Sequence, residues 1–426
     1  MNTPFASHFL GRIVFRFVFI YFFIYNLRFL LSDLPFVGRL GESYENALHI
    51  IIPWVGKYVL RLPYDITVFS AGSGDTTYDY VLVLCLIVVS ASLALGWTLR
   101  KRQQVDDSKL HQWLRVYVRY SLALAMISYG VVKFIPGGQF PAPTLDRLLQ
   151  PFGDASPMGL LWTFMGASKG YNVFTGAAEI IGGLLLITPR TTLLGSLVCF
   201  GVLTNVVMLN LCYDVPVKLY SSHLAAMSIF LMVPDLGRLA NLLLFNRPVE
   251  PVEYRPLFAQ KRLNVAAQLF GVGCMLLFTG WSLYDLHTEL KAETGPEAQS
   301  PLRGIWVVEE FEVDGQVRPP LLTEGERWRR VVFDYPGWIG IQLVNDSRQR
   351  FLLDLDLEKK TLTLGNRDNP DWEAVLTFDR PESEVLLMEG DLDNHHLRAR
   401  LHRIPEPQFL LKNRGFHWIT EHTFNR

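Results

Sequence analysis

Seven stretches of this chain are apolar over about the 20 residues that an α-helix needs to cross the hydrocarbon core of a bilayer. Half of the residues are hydrophobic and only 19% are charged, which excludes an ordinary soluble enzyme. The first stretch contains Arg12, Arg16 and Arg28 and no small-residue cleavage site follows it, so we expect a permanent helix. The sequence predicts an α-helical bundle of about seven transmembrane spans, at about 9–31, 78–99, 115–134, 173–189, 191–212, 219–233 and 263–285.

A second part of the chain has a different composition and pattern. Beyond a polar stretch at 293–301, residues 301–426 carry 17 basic and 22 acidic side chains, against 23 and 19 in residues 1–300. Short runs there alternate apolar and polar residues between Gly, Asn, Asp and Pro, as expected for strands. We predict a helical domain over 1–292 and a soluble all-β domain over 301–426. Its strands, at about 306–313, 328–335, 338–344, 350–357, 361–364, 374–378, 384–389, 396–401 and 409–419, fit an up-and-down barrel.

The basic residues between the spans predict the orientation. Segments 100–115, 189–191 and 234–262 carry 11 Lys or Arg in 48 residues, whereas the connections on the other side carry 7 in 109. Because basic loops stay in the cytoplasm, the N-terminus is predicted to be cytoplasmic and the β domain extracytoplasmic, in a bacterial inner membrane. The basic residues follow these loops rather than a soluble face, so nothing indicates nucleic-acid binding.

Glu179 is the residue of the apolar segments that most needs an explanation. A charge inside a bilayer costs roughly 3 kcal/mol or more unless it is paired, hydrated or used. Gly176 and Gly183 lie three residues before and four after it, so all three share one face of a helix. Small residues mark the face at which another membrane helix approaches closely. Glu179 is therefore predicted to point into the bundle, either as a structural ion pair or as a ligand-binding or proton-handling group.

Other polar residues are predicted at the same outer level of the membrane, together with Arg28, Tyr78 and Asp79. If they converge, they line one pocket that opens outward. Several also have a structural explanation: an interfacial anchor for Lys133, a packed side chain for His223, and turn stabilisation for Asn210, Asp214 and Lys218. The candidate ligand-binding or proton-handling residues are Glu179, Lys133, His223, Asn205, Asn210, Asp214 and Lys218.

The sequence gives little support for metal or thiol chemistry. One carboxylate and one histidine without close spacing do not form a metal-ligand set. Cys85, Cys199, Cys212 and Cys274 all lie in apolar runs without a Cys-x-x-Cys pair, which indicates small buried side chains. No haem, flavin or iron–sulfur motif is evident, and no catalytic residue can be assigned.

Two outer connections are long. Residues 47–60 are mixed apolar and aromatic, which is typical of a helix in the membrane interface. Loop 135–172 is rich in Pro and aromatic residues, and part of it could form a further interfacial or re-entrant piece. A lid over an outward site and a plain interfacial cover are both compatible with a loop of this length.

Residues 120–134 end in a Gly-x-x-Lys element at Gly130 and Lys133, and residues 178–186 read Ala-Glu-Ile-Ile-Gly-Gly-Leu-Leu-Leu. With Pro189-Arg190, these motifs resemble the first two helices of DoxX-type membrane proteins over about residues 115–233. The resemblance implies a four-helix core, an association with quinone-linked redox chemistry, and Lys133 and Glu179 as motif positions. The turn at 213–218 and three added helices depart from the family pattern. The membrane part of vitamin K-dependent carboxylases is also distantly similar, without matching catalytic residues.

The β domain begins with Gly304-x-Trp306 and carries a late Arg414, which resembles the lipocalin pattern of a floor Trp under a stacked Arg.

Three functions remain open. The first is an accessory subunit of quinone-linked redox chemistry that holds a quinone or another lipophile and receives electrons through a partner subunit. The second is a carrier that passes a lipophilic molecule between bundle and barrel. The third is a scaffold without a pocket. Whether the protein is an enzyme stays open.

Overall fold

A computed structural model shows two compact units, one formed by residues 1–139 and 170–285 and the other by 140–169 and 286–426. The sequence prediction had placed the whole of 1–292 in the helical domain, and part of its predicted junction, residues 295–299, lies outside the described residues. The structure describes residues 9–32, 38–68, 72–100, 107–251, 256–294, 300–334, 337–367, 369–405 and 409–425.

The first unit is helical, as predicted. Within the described residues, six helical stretches are long and apolar enough to span a membrane. Shorter elements are α2 (Gly38–Trp54), which continues into a π-helical turn (Val55–Val59), and α10 (Leu236–Leu243) after a 3₁₀ turn (Val233–Asp235). The long helices are α1 (Phe9–Ser32), α3 (Thr77–Arg100), α4 (Asp107–Val132), α7 (Lys169–Ile187), α8 (Thr192–Cys212), α9 (Lys218–Met232) and α11 (Lys261–Thr294).

The predicted span at 115–134 lies in α4, which is not among the six apolar stretches. Its N-terminal half carries Arg115 and Arg119, which lower its hydropathy. Val118 and Leu122 are nevertheless completely buried in the main core of this unit, together with residues of α1, α7, α8 and α9. A helix surrounded by other helices needs no lipid-facing apolar surface, so it can carry more polar residues than its neighbours.

Glycines allow α4 and α7 to approach closely. A Cβ on Gly176 would lie 2.6 Å from the carbonyl oxygen of Gly130, and one on Gly183 would lie 2.7 Å from a side-chain carbon of Ile127. Glu179, between the two α7 glycines, is 6% exposed. The prediction that this glycine face meets another helix, with Glu179 directed into the bundle, is therefore confirmed.

The helix α2 has one buried and one exposed apolar side. Ile52 is buried against Ile66 and Tyr78, whereas Ile50 is 73% and Trp54 55% exposed. The predicted interfacial stretch at 47–60 thus coincides with a helix whose outer face is apolar. Its contact with lipid stays a prediction.

The second unit contains the predicted β-barrel. Eight long strands form an antiparallel meander in which each strand pairs with the next, and the last pairs with the first to close the barrel. A two-residue strand, β2 (Gln316–Val317), extends the hairpin after β1. The long strands are β1 (Gly304–Val313), β3 (Trp328–Phe333), β4 (Trp338–Leu343), β5 (Arg348–Asp356), β6 (Thr361–Gly365), β7 (Glu373–Glu382), β8 (Val385–Leu392) and β9 (His395–Ile404).

The ninth predicted strand, at 409–419, is wrong. Residues Leu410–Asn413 form the short helix α12, and the chain beyond it has no strand in the described residues. Phe416 and Trp418 are 77% and 90% exposed. The apolar run at 409–419 resembles a strand in sequence, but β1 and β9 already pair and leave no free edge for another strand.

The interior of the barrel is filled by its own side chains. Trp306, Leu362, Leu376, Met388 and Leu401 have no exposed surface, so no water-sized space borders them. About eight strands enclose an interior just wide enough for side chains to fill, which this barrel does. At these five positions the barrel therefore leaves no room for a bound hydrophobic molecule.

Trp306 is completely buried in the barrel core, and its indole N–H donates to Leu302 O at 2.8 Å. The predicted stacking of Arg414 on it is wrong. Arg380 lies over the indole, 5.8 Å from the ring centroid, whereas Arg414 lies over Phe424 at 3.9 Å. Arg380 is held there because it donates to backbone carbonyls, including that of Pro301 at 3.3 Å.

The long connection at 140–169 belongs to the barrel unit and contains α5 (Leu145–Leu148), a 3₁₀ turn (Phe152–Asp154) and α6 (Pro157–Ala167). Asp146 accepts hydrogen bonds from Arg348 at 3.1 Å and from Arg350 at 2.8 Å. Asp334 accepts from the backbone N–H of Leu145. Burial raises the pKa of Asp334, and these backbone bonds oppose the rise. The loop expected to be a lid or an interfacial cover is thus clamped to the barrel.

Candidate functional site

Lys133 and Glu179 form a buried ion pair between α4 and α7. The distance from Lys133 Nζ to Glu179 Oε2 is 2.5 Å, and the two residues are 7% and 6% exposed. The ammonium group also donates to the carbonyl oxygen of Tyr129 at 3.3 Å. Pairing offsets the large cost of desolvating each charge. The two residues named by the DoxX resemblance therefore act on each other and join two helices.

His223 belongs to a second group, between α9 and α1. Its ring stacks on Tyr25 with centroids 4.1 Å apart and an angle of 7°. Its Nδ1 lies 2.6 Å from the carbonyl oxygen of Leu219, and its Nε2 lies 2.6 Å from the hydroxyl of Tyr21. Because a carbonyl only accepts, Nδ1 carries the proton, and Nε2 of a neutral ring then accepts from Tyr21. Both ring nitrogens are engaged.

A third group stabilises the turn between α8 and α9. Asp75 accepts from the backbone N–H groups of Lys218 at 2.7 Å and Leu219 at 2.9 Å, at the positive end of α9. The Lys218 ammonium lies 2.9 Å from Asp214 and 3.8 Å from Asp75. Asp214 itself is largely exposed. The structural explanation given above for this turn matches these contacts.

The two asparagines of α8 differ in their surroundings. Asn210 is buried and donates to the hydroxyl of Ser221 at 3.0 Å, which ties α8 to α9. Asn205 is exposed on the helix surface. The seven candidate residues are therefore distributed over the three bonded groups, the separate contact of Asn210 with Ser221, and one exposed position.

A cleft of about 560 Å³ lies among helices of the same unit. Its volume is within the range of about 300–1,000 Å³ that is common for small-molecule sites. None of the seven candidate residues is part of its wall. The wall is formed by Tyr25, Asn26, Arg28, Phe29, Tyr44, Glu45, Ser73, Gly74, Asp79, Leu82, Val83, Leu86, Ser121, Leu124, Ala125, Ser128, Tyr129, Val217, Leu219, Tyr220, Leu224, Phe278 and Ser282.

The wall of the cleft changes from polar to apolar with depth. On α3 it begins at Asp79 and continues to Leu82 and Leu86, seven residues or about 10 Å along the helix. On α4 it runs from Tyr129, near the helix end, past Ala125 and Leu124 to Ser121. The cleft therefore has a polar mouth at one set of helix ends and a floor that is apolar apart from the hydroxyl of Ser121.

The mouth contains fixed charges. Arg28 Nε donates to Glu45 Oε1 at 3.1 Å, and both side chains are partly exposed. Asp79 accepts from the hydroxyl of Thr76 at 2.6 Å and from its backbone N–H at 3.0 Å, which caps the start of α3. Hydrogen-bonding groups thus surround the mouth in fixed positions.

Two of the bonded groups lie directly behind the wall. Tyr25 separates His223 from the cleft, and the carbonyl of the lining residue Tyr129 accepts from Lys133. Arg28 and Asp79, which the sequence placed at the same level, do line the mouth. Sequence reasoning missed Tyr44 and Glu45. The sequence pattern that could have indicated them is that of α2, the helix before α3, which carries both residues and has an apolar outer face.

The described residues contain no group of three or more His, Cys, Asp or Glu side chains arranged to hold a metal ion. The cysteines show no pairing: those at 85, 199, 212 and 274 are free thiols, of which Cys199 is buried against Gly182 and Cys212 is exposed. The chemistry that this unit offers is hydrogen bonding around an apolar floor.

These features define a polytopic helical membrane protein with a C-terminal closed β-barrel domain. The chain is similar to YwoB, an uncharacterized protein of Bacillus subtilis, with 30% identity over 126 residues that cover 28% of this chain and 73% of the relative. The chain therefore belongs to the same family as YwoB. No family model matches it. No solved structure matches it either.

Proposed function

We propose that the helical domain binds a lipid-soluble molecule that has a polar headgroup. The observation that carries this proposal is the cleft, whose polar mouth and apolar floor match a head and the first part of a tail. Arg28 and Glu45 would orient the head, while Leu86, Leu124 and Phe278 would surround the tail. A few placed polar groups in an apolar pocket are typical of small-molecule sites.

The charges of the mouth favour a head that is not anionic. Arg28 is already opposed by Glu45, and Asp79 adds a second carboxylate. A phosphate placed there would face these carboxylates, and like charges at short range repel each other. Quinones, sterols and diacylglycerols combine a neutral hydrogen-bonding head with an apolar tail, and they are the class that we propose.

A substitution at Ala125 tests the proposal. We expect wild-type protein, purified in mild detergent and extracted with organic solvent, to release about one neutral lipophile per chain, identified by mass spectrometry. Ala125→Phe should abolish this release, because the larger side chain fills the apolar floor. Ala91→Phe is the matched control, since Ala91 is exposed on α3, and it should release the lipophile normally.

Two results would count against a ligand in this cleft. One is a folded Ala125→Phe protein that still carries the lipophile at the wild-type ratio. The other is wild-type protein that releases no neutral lipophile from native membranes. Circular dichroism and the thermal unfolding midpoint establish in each case that the variant is folded.

The DoxX resemblance supports a finer proposal, that the lipophile is a quinone and that the protein serves as an accessory subunit of quinone-linked redox chemistry. A partner subunit would then supply the electrons, and the lining carboxylates Glu45 and Asp79, or Tyr25 with His223 behind it, would exchange protons with the head. The extracted molecule decides this point, since a sterol or diacylglycerol would exclude it. The filled barrel favours binding in the bundle alone over a carrier that uses both domains.

We also propose the orientation that the basic loops predict, with the barrel on the extracytoplasmic side. In a cysteine-free background, Ser383→Cys on the barrel should react with a membrane-impermeant maleimide added to intact cells. Asn246→Cys, after α10, should react only after permeabilisation. Both positions are exposed, so access to the reagent is the only difference between them. The reverse labelling pattern would refute this orientation.

A further inference from the structure

Arg119 lies near the middle of α4 and is 8% exposed. Its guanidinium group lies over the ring of Tyr120, 5.1 Å from the centroid. Its Nε has no hydrogen-bond partner in the described part of the chain, and neither has the hydroxyl of Tyr120. Arginine keeps its proton in proteins. A positive charge is therefore enclosed in the helical domain beside the ring and the hydroxyl of Tyr120.

Two other arginines of this unit have carboxylate partners. The buried Arg16 lies 3.4 Å from Asp107, and the partly exposed Arg115 lies 3.7 Å from Asp235. Arg119 differs from both, because no carboxylate of the described residues lies within ion-pair distance of it. An enclosed charge without a counter-ion costs several kcal/mol, and substitutions that create one are strongly destabilising. The enclosed charge indicates a counter-ion supplied by another molecule.

The surroundings of Arg119 indicate where that molecule lies. Arg119 shares a face of α4 with Ala123 and Ile127, which contact Gly183 of α7. Tyr120 packs over Gly271 of α11, where a Cβ would lie 2.7 Å from its ring carbon Cζ. The absence of a side chain at Gly271 makes room for the ring that supports the guanidinium group. Neither Arg119 nor Tyr120 lines the cleft described above.

We propose that Arg119 is the cation of an anion-binding site in the helical domain, with the Tyr120 hydroxyl as a second donor. The ligand class is an oxyanion, a phosphate or carboxylate, which the planar guanidinium binds in a two-point geometry. Such a group reaches a membrane protein either as the head of an anionic lipid or as a free anion. The site is separate from the cleft and takes a ligand of opposite character.

Native mass spectrometry and thermal unfolding of the full-length protein test the site. In lipid-free detergent, we expect one phosphatidylglycerol to bind wild type at least tenfold more tightly than Arg119→Met, and to raise the unfolding midpoint of wild type only. Phosphatidylcholine should have neither effect on either protein. Arg262→Met is the matched control, because Arg262 is exposed at the start of α11, and it should behave as wild type.

Two further comparisons distinguish a lipid headgroup from a free anion and provide a second variant of Arg119. If sodium phosphate, and not phosphatidylglycerol, stabilises wild type and fails with Arg119→Met, the ligand is a free anion. Arg119→Lys keeps the charge without the two-point geometry, so it should fold and bind less tightly than wild type, and it replaces Arg119→Met if that variant does not fold. Equal binding of both anions by wild type and the folded variant overturns the proposal.

Discussion

We expect Glu179→Leu to lower the free energy of unfolding of the helical domain by about 3–5 kcal/mol, which is typical when one partner of a buried ion pair is removed. The substitution leaves the Lys133 ammonium buried without its carboxylate partner. Unfolding in detergent, followed by circular dichroism, measures the loss. Of the changes considered for this protein, this one has the largest expected effect.

The double variant Lys133→Met/Glu179→Leu is the control. Replacing both charges with apolar side chains of similar size is often neutral or stabilising, so the double variant should be closer to wild type than Glu179→Leu. A double variant that is less stable than the single one would show that the pair contributes more than mutual neutralisation. A loss below about 1 kcal/mol in the single variant would contradict the buried pair itself.

Gly176→Ala is expected to destabilise the helical domain by about 1–3 kcal/mol or more, as overpacking of a tight contact does. The new Cβ would lie 2.6 Å from Gly130 O and 3.0 Å from the Cβ of Lys133, so α4 and α7 must separate. A backbone oxygen, unlike the end of a flexible side chain, cannot turn away. The shift in the unfolding midpoint measures the cost.

Gly201→Ala carries the same chemical change with the opposite expected sign. Nothing lies within 4 Å of its added Cβ, and Gly201 is exposed on α8. Alanine is favoured over glycine in a helix by about 1 kcal/mol, so this variant should be unchanged or slightly stabilised. If Gly176→Ala is unchanged or stabilised as well, helix propensity rather than contact between α4 and α7 determines the effect.

Much of the fold could be predicted from the sequence because its signals are local. Membrane spans depend on the hydropathy of about 20 consecutive residues, and strands depend on alternation over a few residues. The glycine spacing around Glu179 also predicted which side of α7 meets a neighbour. At 409–419 the same reasoning was wrong, because whether an apolar run becomes a strand depends on a free edge that only the closed barrel reveals.

The site was harder to predict, since it depends on which helices meet. The sequence predicts that Lys133, His223 and Lys218 converge on one pocket. In the structure each is instead bonded to its own partner: Lys133 to Glu179, His223 to Tyr21, and Lys218 to Asp75 and Asp214. A polar residue in an apolar segment needs a partner, and the nearest available one satisfies it. The cleft lies between helices distant in sequence, and its mouth includes α2, which is not a predicted span.

Arg119 illustrates a signal that was present and not used. It lowered the hydropathy of the predicted span at 115–134, yet its lack of a carboxylate partner could be seen only once the neighbouring helices were placed. The Arg380 contact with Trp306 was missed for the same reason, because the β domain contains several arginines and only the folded barrel shows which of them reaches the indole.

The most direct test of the account is a cryo-electron microscopy map of the full-length protein in nanodiscs made from its native membrane. If the cleft binds a neutral lipophile, we expect one elongated density in it, with its head beside Arg28 and Glu45 and its tail between Leu86, Leu124 and Phe278. A cleft that is closed by its own side chains at high resolution, or that holds only a phospholipid head opposite Glu45, would contradict it.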